Sequence, residues 1–76
     1  MNLEEAINLL AVVSDFDFEA LDKRLNFSIY DDQKGGFVLC IRAELVTEEY
    51  RRYLEGIVKS RNLLIGESEG YLMIRS

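Results

Sequence analysis

The spacing of apolar and polar residues changes several times along the chain, and each change predicts a different element. Over residues 3–13 the apolar positions form a stripe wider than a surface helix carries, which predicts a helix buried on more than one side. Ser14, with Asp17 three residues later, has the spacing of a helix N-cap and predicts a second helical segment over 15–25. The expected inner face of that segment consists of Phe18, Leu21 and Leu25.

The pattern then changes to a hairpin. Residues 26–30 alternate polar and apolar side chains, as in a strand with one wet face, and the run DDQKG that follows is typical of a turn. The next run, 36–43 or GFVLCIRA, is apolar and rich in β-formers, which predicts a central strand after a loop of four or five residues. Its double glycine does not predict a phosphate loop, because such a loop joins a strand to a helix rather than two strands.

Thr47 is the predicted N-cap of a helix whose acidic residues at 48 and 49 and basic residues at 59 and 61 suit the helix dipole. Its buried face is expected to hold Tyr50, Tyr53, Leu54, Ile57 and Val58. Gly56 costs about 1 kcal/mol in a helix interior relative to alanine. The glycine therefore marks either a close backbone contact or a tolerated weak position.

A second hairpin closes the chain, with a short strand over 63–66, a turn, and a strand over 70–75 that nearly copies the central strand. Several earlier residues also match at an offset of 36. The matches indicate a possible internal αββ repeat, about 17–43 and 48–75, although short alternating strands also produce such matches by chance. The order αββαββ does not depend on the repeat.

This order predicts one α+β domain over residues 1–76, a permuted ferredoxin-like arrangement in which the helices cover one face of a four-stranded antiparallel sheet. A right-handed crossover gives the strand order 63–66, 70–75, 36–43, 26–30. The side chains expected to point at the helices are Phe27, Ile29, Phe37, Leu39, Ile41, Leu72 and Ile74.

Alternation places a second set of side chains on the opposite face of this sheet. The candidate interaction face consists of Tyr30, Val38, Cys40, Arg42, Tyr71, Met73 and Arg75, with Ser28 beside them. Such a patch is too apolar to stay in water, so it predicts an interface. The N-terminal helix, a second copy of the chain, another protein or a ligand could cover it.

The composition limits which structural supports and which cellular compartment are expected for this chain. A chain of 76 residues builds a thin core and commonly relies on a disulfide, a metal or a partner subunit. Cys40 is the only cysteine and histidine is absent, which leaves the partner as the available support and predicts no zinc site and no cofactor. With neither a basic signal sequence nor a long apolar run, the chain is expected in the reducing cytoplasm and not in a membrane.

Catalytic and metal-binding residues are sparse. Cys40 lies mid-strand between apolar neighbours and is predicted to be a packing residue. Asp31 and Asp32 lie in a turn open to water, where nothing is expected to push their two pKa values apart. The spacing of Asp15, Asp17 and Glu19 resembles the start of a calcium loop, but Ala20 stands where that loop needs glycine and Asn26 where it needs a carboxylate. We therefore expect no catalytic residue and no metal.

The net charge of −5 disfavours nucleic acid as a partner, because binding phosphates requires clustered positive charge. The sequence predicts a non-catalytic cytoplasmic interaction module, a small regulator or adaptor that binds a protein partner and forms a homodimer. Two alternatives stay open. The tyrosines and arginines of the candidate face could stack single-stranded nucleic acid, or a carboxylate pair could serve a small enzyme.

Overall fold

The computed structural model describes residues 1–15 and 27–76. The elements, in chain order, are α1 (Leu3–Val13), β1 (Phe27–Asp31), β2 (Phe37–Arg42), a short 3-10 helix (Ala43–Leu45), α2 (Glu48–Ser60), β3 (Leu64–Ser68) and β4 (Tyr71–Arg75). The α+β class predicted from the sequence is confirmed. The helical segment predicted over 15–25 lies almost wholly outside the described residues, as do most of the residues whose spacing resembles the start of a calcium loop.

The four strands form one sheet in the order β1-β2-β4-β3, with every neighbouring pair antiparallel, as predicted. At its centre Leu39 pairs with Ile74, Cys40 with Met73 and Ile41 with Leu72. Both described helices share one core with these strands, so they lie on the same face of the sheet. The outer strands β1 and β3 form its two edges.

The core lies between this face and the helices. Its buried members are Leu9, Val13, Leu39, Ile41, Tyr50, Leu54, Val58, Leu72 and Ile74. Phe27 and Ile29 pack against it partly buried, and Phe37 is half-buried at the start of its strand. Alternation in the sequence therefore identified six of the seven predicted helix-facing side chains as members of the core or packed against it.

Each helix begins at a side-chain cap. Asn2 and Glu5 form a capping box at the start of α1, which the sequence reading missed, and the predicted cap Thr47 accepts the Tyr50 amide at 3.1 Å. The Ser14 hydroxyl donates to the Leu10 carbonyl at 2.7 Å and closes α1, while the helical segment that Ser14 was predicted to begin lies almost wholly outside the described residues. The serine is therefore used at the end of the first helix.

Two tyrosine hydroxyls join α1 to α2. The Tyr50 hydroxyl donates to the Val13 carbonyl, and the Tyr53 hydroxyl donates to the Val12 carbonyl at 2.9 Å. The last carbonyls of a helix have no donor within the helix, and the two hydroxyls supply donors to the last two carbonyls of α1. Burial, with a smaller contribution from neighbouring Tyr53, raises the pKa of Tyr50 well above its usual range and keeps the hydroxyl a donor.

The two hairpin loops differ in length. Residues 32–36 join β1 to β2, a loop of the predicted length that begins one residue later than the predicted turn over 31–35. The Asp32 carboxylate accepts the amides of Lys34 at 2.8 Å and Gly36 at 2.9 Å. The second turn was predicted over 67–70 but contains only Glu69 and Gly70, both at positive φ as a type I′ turn requires. For this reason β3 extends to Ser68 instead of ending at residue 66.

Candidate interaction face

The sheet surface opposite α1 and α2, here called the open face, is built by strict alternation. Whereas Leu39, Ile41, Leu72 and Ile74 enter the core, the residues between them point away from it. The same parity adds the edge strands, since Ile29 and Ile65 pack on the core. The open face therefore carries Ser28, Tyr30, Val38, Cys40, Arg42, Leu64, Gly66, Ser68, Tyr71, Met73 and Arg75.

Strand register sorts these residues into rows that cross the sheet. The middle row, defined by its pairs, is Ser28, Cys40, Met73 and Gly66. A row at one end contains Arg42, Tyr71 and Ser68, and the pairs at the other end are Tyr30 with Val38 and Leu64 with Arg75. Short side chains dominate the middle row, while long ones stand on both sides of it.

A hollow of about 640 Å³ lies on this face. It is lined by Tyr30, Asp31, Asp32, Lys34, Val38, Cys40, Ser68, Glu69, Tyr71, Met73, Arg75 and Ser76. Six of the seven residues predicted from the sequence are among them. Arg42 is the exception, because it lines a neighbouring hollow with Glu44 and Glu69 and forms an ion pair with Glu44.

Exposure differs sharply between the centre of the open face and its surroundings. Val38 and Cys40 are 6% and 5% exposed. In contrast, Tyr30, Leu64 and Tyr71 are 56%, 57% and 42% exposed. The open face therefore combines a nearly buried centre with large aromatic and aliphatic side chains that are exposed around it.

The only cysteine lies in this nearly buried centre. Burial raises the pKa of the Cys40 thiol, so the protonated form is favoured at neutral pH. Because the thiolate is the nucleophilic form, this environment suits packing and not attack on a substrate. The predicted role of Cys40 as a packing residue fits the geometry.

Charges of both signs surround the hollow. Arg75 lies at the C-terminal end of β4 and Glu69 just before its N-terminal end. Lys34 and the acidic residues Asp31 and Asp32 lie in or beside the first hairpin loop. Hydrogen bonds from the amides of Lys34 and Gly36 lower the pKa of Asp32, so this carboxylate stays ionised.

Sequence reasoning missed several contributors to the open face and its hollow, among them Leu64, Lys34 and Glu69. Leu64 follows directly from alternation once β3 is known to begin there, since Ile65 faces the core. Lys34 and Glu69 belong to the turns, where alternation gives no direction. Their approach to the hollow depends on the turn geometry, above all on the two-residue turn at Glu69.

Within residues 1–15 and 27–76, no group of three or more His, Cys, Asp or Glu side chains is arranged to hold a metal ion. The helices of the same part of the chain are too short or too polar to cross a membrane. Comparison of the chain with protein-family models, curated proteins and solved structures found no match.

Proposed function

We propose that the protein is a non-catalytic interaction module of the cytoplasm, a small regulator or adaptor that binds protein and forms a homodimer through the open face. The main support for this proposal is the exposure of Tyr30, Leu64 and Tyr71 on the face turned away from α1 and α2. These side chains surround the nearly buried pair Val38 and Cys40. Apolar surface of this kind is stabilised by exclusion from water. A single, buried, unpaired cysteine supports the cytoplasmic assignment.

The position of α1 favours an occupant from outside the described part of the chain. The N-terminal helix was one of the candidate covers of the open face, but Leu9 and Val13 pack in the core with Leu39. That core lies on the other side of the sheet. A second copy then becomes the favoured occupant, because it brings an apolar face of the same size.

The size of the face sets the strength of the expected dimer. Four strands about 4.8 Å apart and five residues long, at about 3.3 Å per residue, give a contact of about 500 Å² of accessible surface per copy once side-chain relief is included. Two copies bury about 1,000 Å², at the lower limit for a specific interface. We therefore expect a dimer that dissociates on dilution.

The chemistry of the face supports binding more than catalysis. Cys40 has a raised pKa and Asp32 a lowered one, so neither is tuned toward neutral pH as a nucleophile or general base would be. Single-stranded nucleic acid fits less well, because Asp31, Asp32 and Glu69 lie around the hollow that holds the two tyrosines.

The test is the mass of the protein in solution, measured by light scattering and sedimentation over a range of micromolar concentrations. Wild type is expected to approach twice 8.8 kDa, and Met73→Lys to remain a monomer because a lysine there would be buried without a partner. Ile7→Lys is the matched control, since Ile7 is an apolar residue 52% exposed on α1, away from the open face.

Ile7→Lys should dimerise like wild type. Tyr71→Lys provides a second disruptive variant at an exposed position, where the folded monomer should tolerate the change. A wild type that stays at 8.8 kDa throughout, or a Met73→Lys protein that dimerises normally, would contradict the proposed function.

A further inference from the structure

We infer that the two copies meet about a two-fold axis that runs along the middle row, so that β4 of one copy crosses β4 of the other in the opposite direction. This inference rests on the proposed homodimer and adds its arrangement. The axis places Met73 opposite the partner's Met73 and Cys40 opposite the partner's Cys40. Arg75 then faces the partner's Tyr71, and Tyr71 faces the partner's Arg75.

Charge along β4 favours this arrangement. Arg75 at one end of the strand and Glu69 beside the other end both line the hollow. Stacking β4 on its copy in the opposite direction brings each Arg75 toward an acidic Glu69, whereas stacking in the same direction would bring like charges together. The strand is therefore self-complementary only when the two copies run antiparallel.

The Arg75–Tyr71 contact adds an aromatic component. A guanidinium over a tyrosine ring is attracted by the ring's negative face, and Tyr71 is 42% exposed and so has ring surface to offer. The two-fold operation creates this contact twice. At the centre, the flexible thioethers of the two Met73 residues can fill the space left by the short side chains of the middle row.

The main rival has its axis parallel to the strands, which stacks β2 on the partner's β4. In that arrangement Arg42, instead of Arg75, would face the partner's Tyr71. Arg42 forms an ion pair with Glu44 and lines only the neighbouring hollow, whereas Arg75 lines the hollow on the open face. Breaking an existing ion pair makes the rival less favourable. The two arrangements predict different neighbours for position 75, so cross-linking can separate them.

The rise along a strand and the spacing of packed sheets give the expected distances between Cα atoms across the interface. Residues 71 and 75 are four apart on one strand, or about 13 Å, and packed sheets lie about 10 Å apart. The Cα atoms of residue 71 and the partner's residue 75 would therefore be separated by about 10 Å, and those of two identical residues by about 16 Å. A short bifunctional thiol reagent that spans only the smaller separation distinguishes the two pairs.

The experiment uses full-length protein with Cys40→Ala, so that the only thiols are those introduced. Tyr71→Cys and Arg75→Cys chains are mixed in equal amounts and treated with the reagent, and the products are identified by mass. In the mixed dimer one Arg75–Tyr71 contact remains intact. We expect the 71–75 product to exceed the 71–71 and 75–75 products several-fold, and to disappear when Met73→Lys is added to both chains.

The control pairs Val38→Cys with Arg75→Cys, which the rival axis would join. Dominance of the 38–75 product, or of the 71–71 or 75–75 product, in a sample that is dimeric by light scattering would overturn the axis and leave the homodimer standing. A sample that is monomeric by mass and gives no cross-linked product would overturn both. The two failures are therefore distinguishable.

Discussion

The two faces of the sheet have the same alternating sequence pattern but opposite surroundings. On the helix side, Leu39, Ile41, Leu72 and Ile74 are all fully buried. On the open side, Val38 and Cys40 are nearly buried, while Tyr30, Leu64 and Tyr71 are about half exposed. Both faces are apolar at the centre, yet the described helices cover only one of them.

The difference shows what apolar character along a strand means. Burial behind helices needs only aliphatic side chains of suitable volume, and the helix side has Leu and Ile at its centre. The open side instead combines Tyr, Arg and Met with small residues, a composition enriched at protein interfaces. The choice of apolar residue, and not the period alone, distinguishes the core face of this sheet from its open face.

The neighbours Leu72 and Met73 give the strongest test of this contrast, because they point to opposite faces of one strand. Leu72→Ala should lower the free energy of unfolding by about 2–5 kcal/mol, since it leaves a cavity in the core. Met73→Ala should cost less in dilute protein, and it should remove the concentration dependence of stability that the proposed dimer would cause. Urea denaturation at several protein concentrations measures both effects.

If Met73→Ala proved as damaging as Leu72→Ala at every concentration, the open face would be part of a core within one chain. The opposite result, a Leu72→Ala protein with nearly normal stability, would contradict the placement of α1 and α2 over β4. Either outcome would end the contrast between the two faces.

Tyr50→Phe tests why α1 stays on the helix side. The change leaves the Val13 carbonyl without its buried donor and should lower the free energy of unfolding by about 1–2 kcal/mol. Tyr53→Phe is the matched control, because Tyr53 is only half-buried and water can replace its bond to Val12. Thermal unfolding should show the larger loss for Tyr50→Phe, and equal losses would argue against a buried anchor.

Gly56→Ala tests the outer surface of the helix layer and resolves the two readings of this glycine. A Cβ added at Gly56 meets nothing within 4 Å in the described part of the chain, so no described residue requires a glycine there. The change should raise the free energy of unfolding by about 0.5–1 kcal/mol. Gly36→Ala should do the reverse, because its Cβ would lie 2.8 Å from an Asp32 carboxylate oxygen. Urea denaturation of both variants measures the signs, and a Gly56→Ala loss would indicate a missed contact.

Much of this fold follows from local signals in the sequence. Periodicity identified α1, α2 and the four strands, and the handedness of the crossover gave the sheet order. The ends of the second hairpin were wrong because Glu69 adopts positive φ, which a glutamate rarely does and which no local pattern indicates. The tyrosine hydrogen bonds to α1 could not be predicted, because each joins two residues that are far apart in the sequence, separated by 37 positions in one bond and by 41 in the other.

The open face was predicted only in part, because local patterns assign residues on strands but not contacts made by turns. Residues on strands, such as Tyr30, Cys40 and Met73, are assigned by parity alone, and six of the seven predicted residues share the hollow. Arg42 was expected with them, but the 3-10 helix after β2 brings Glu44 close enough to form an ion pair. Contacts made by turns and by short helices depend on backbone geometry that alternation does not describe.

The smallest effect is expected at Asp32, beside the open face, and it depends on pH. Two amide hydrogen bonds hold the pKa of Asp32 below its ordinary value of 3.8 in the folded protein. A lowered folded-state pKa means that the ionised carboxylate stabilises the fold above pH 3.8. That stabilisation is lost as the pH falls through the lower, folded-state pKa.

Asp32→Ala should therefore be less stable than wild type at pH 7, and the difference should shrink once the pH drops below 3.8. Asp32→Asn is the matched control, because its side-chain oxygen can accept the Lys34 and Gly36 amides but does not titrate. The stability difference between Asp32→Asn and Asp32→Ala should stay constant across the same range. Urea midpoints from pH 7 into the acid range measure these differences, and a wild-type advantage that persists unchanged in acid would show that ionisation of Asp32 does not stabilise the hairpin loop.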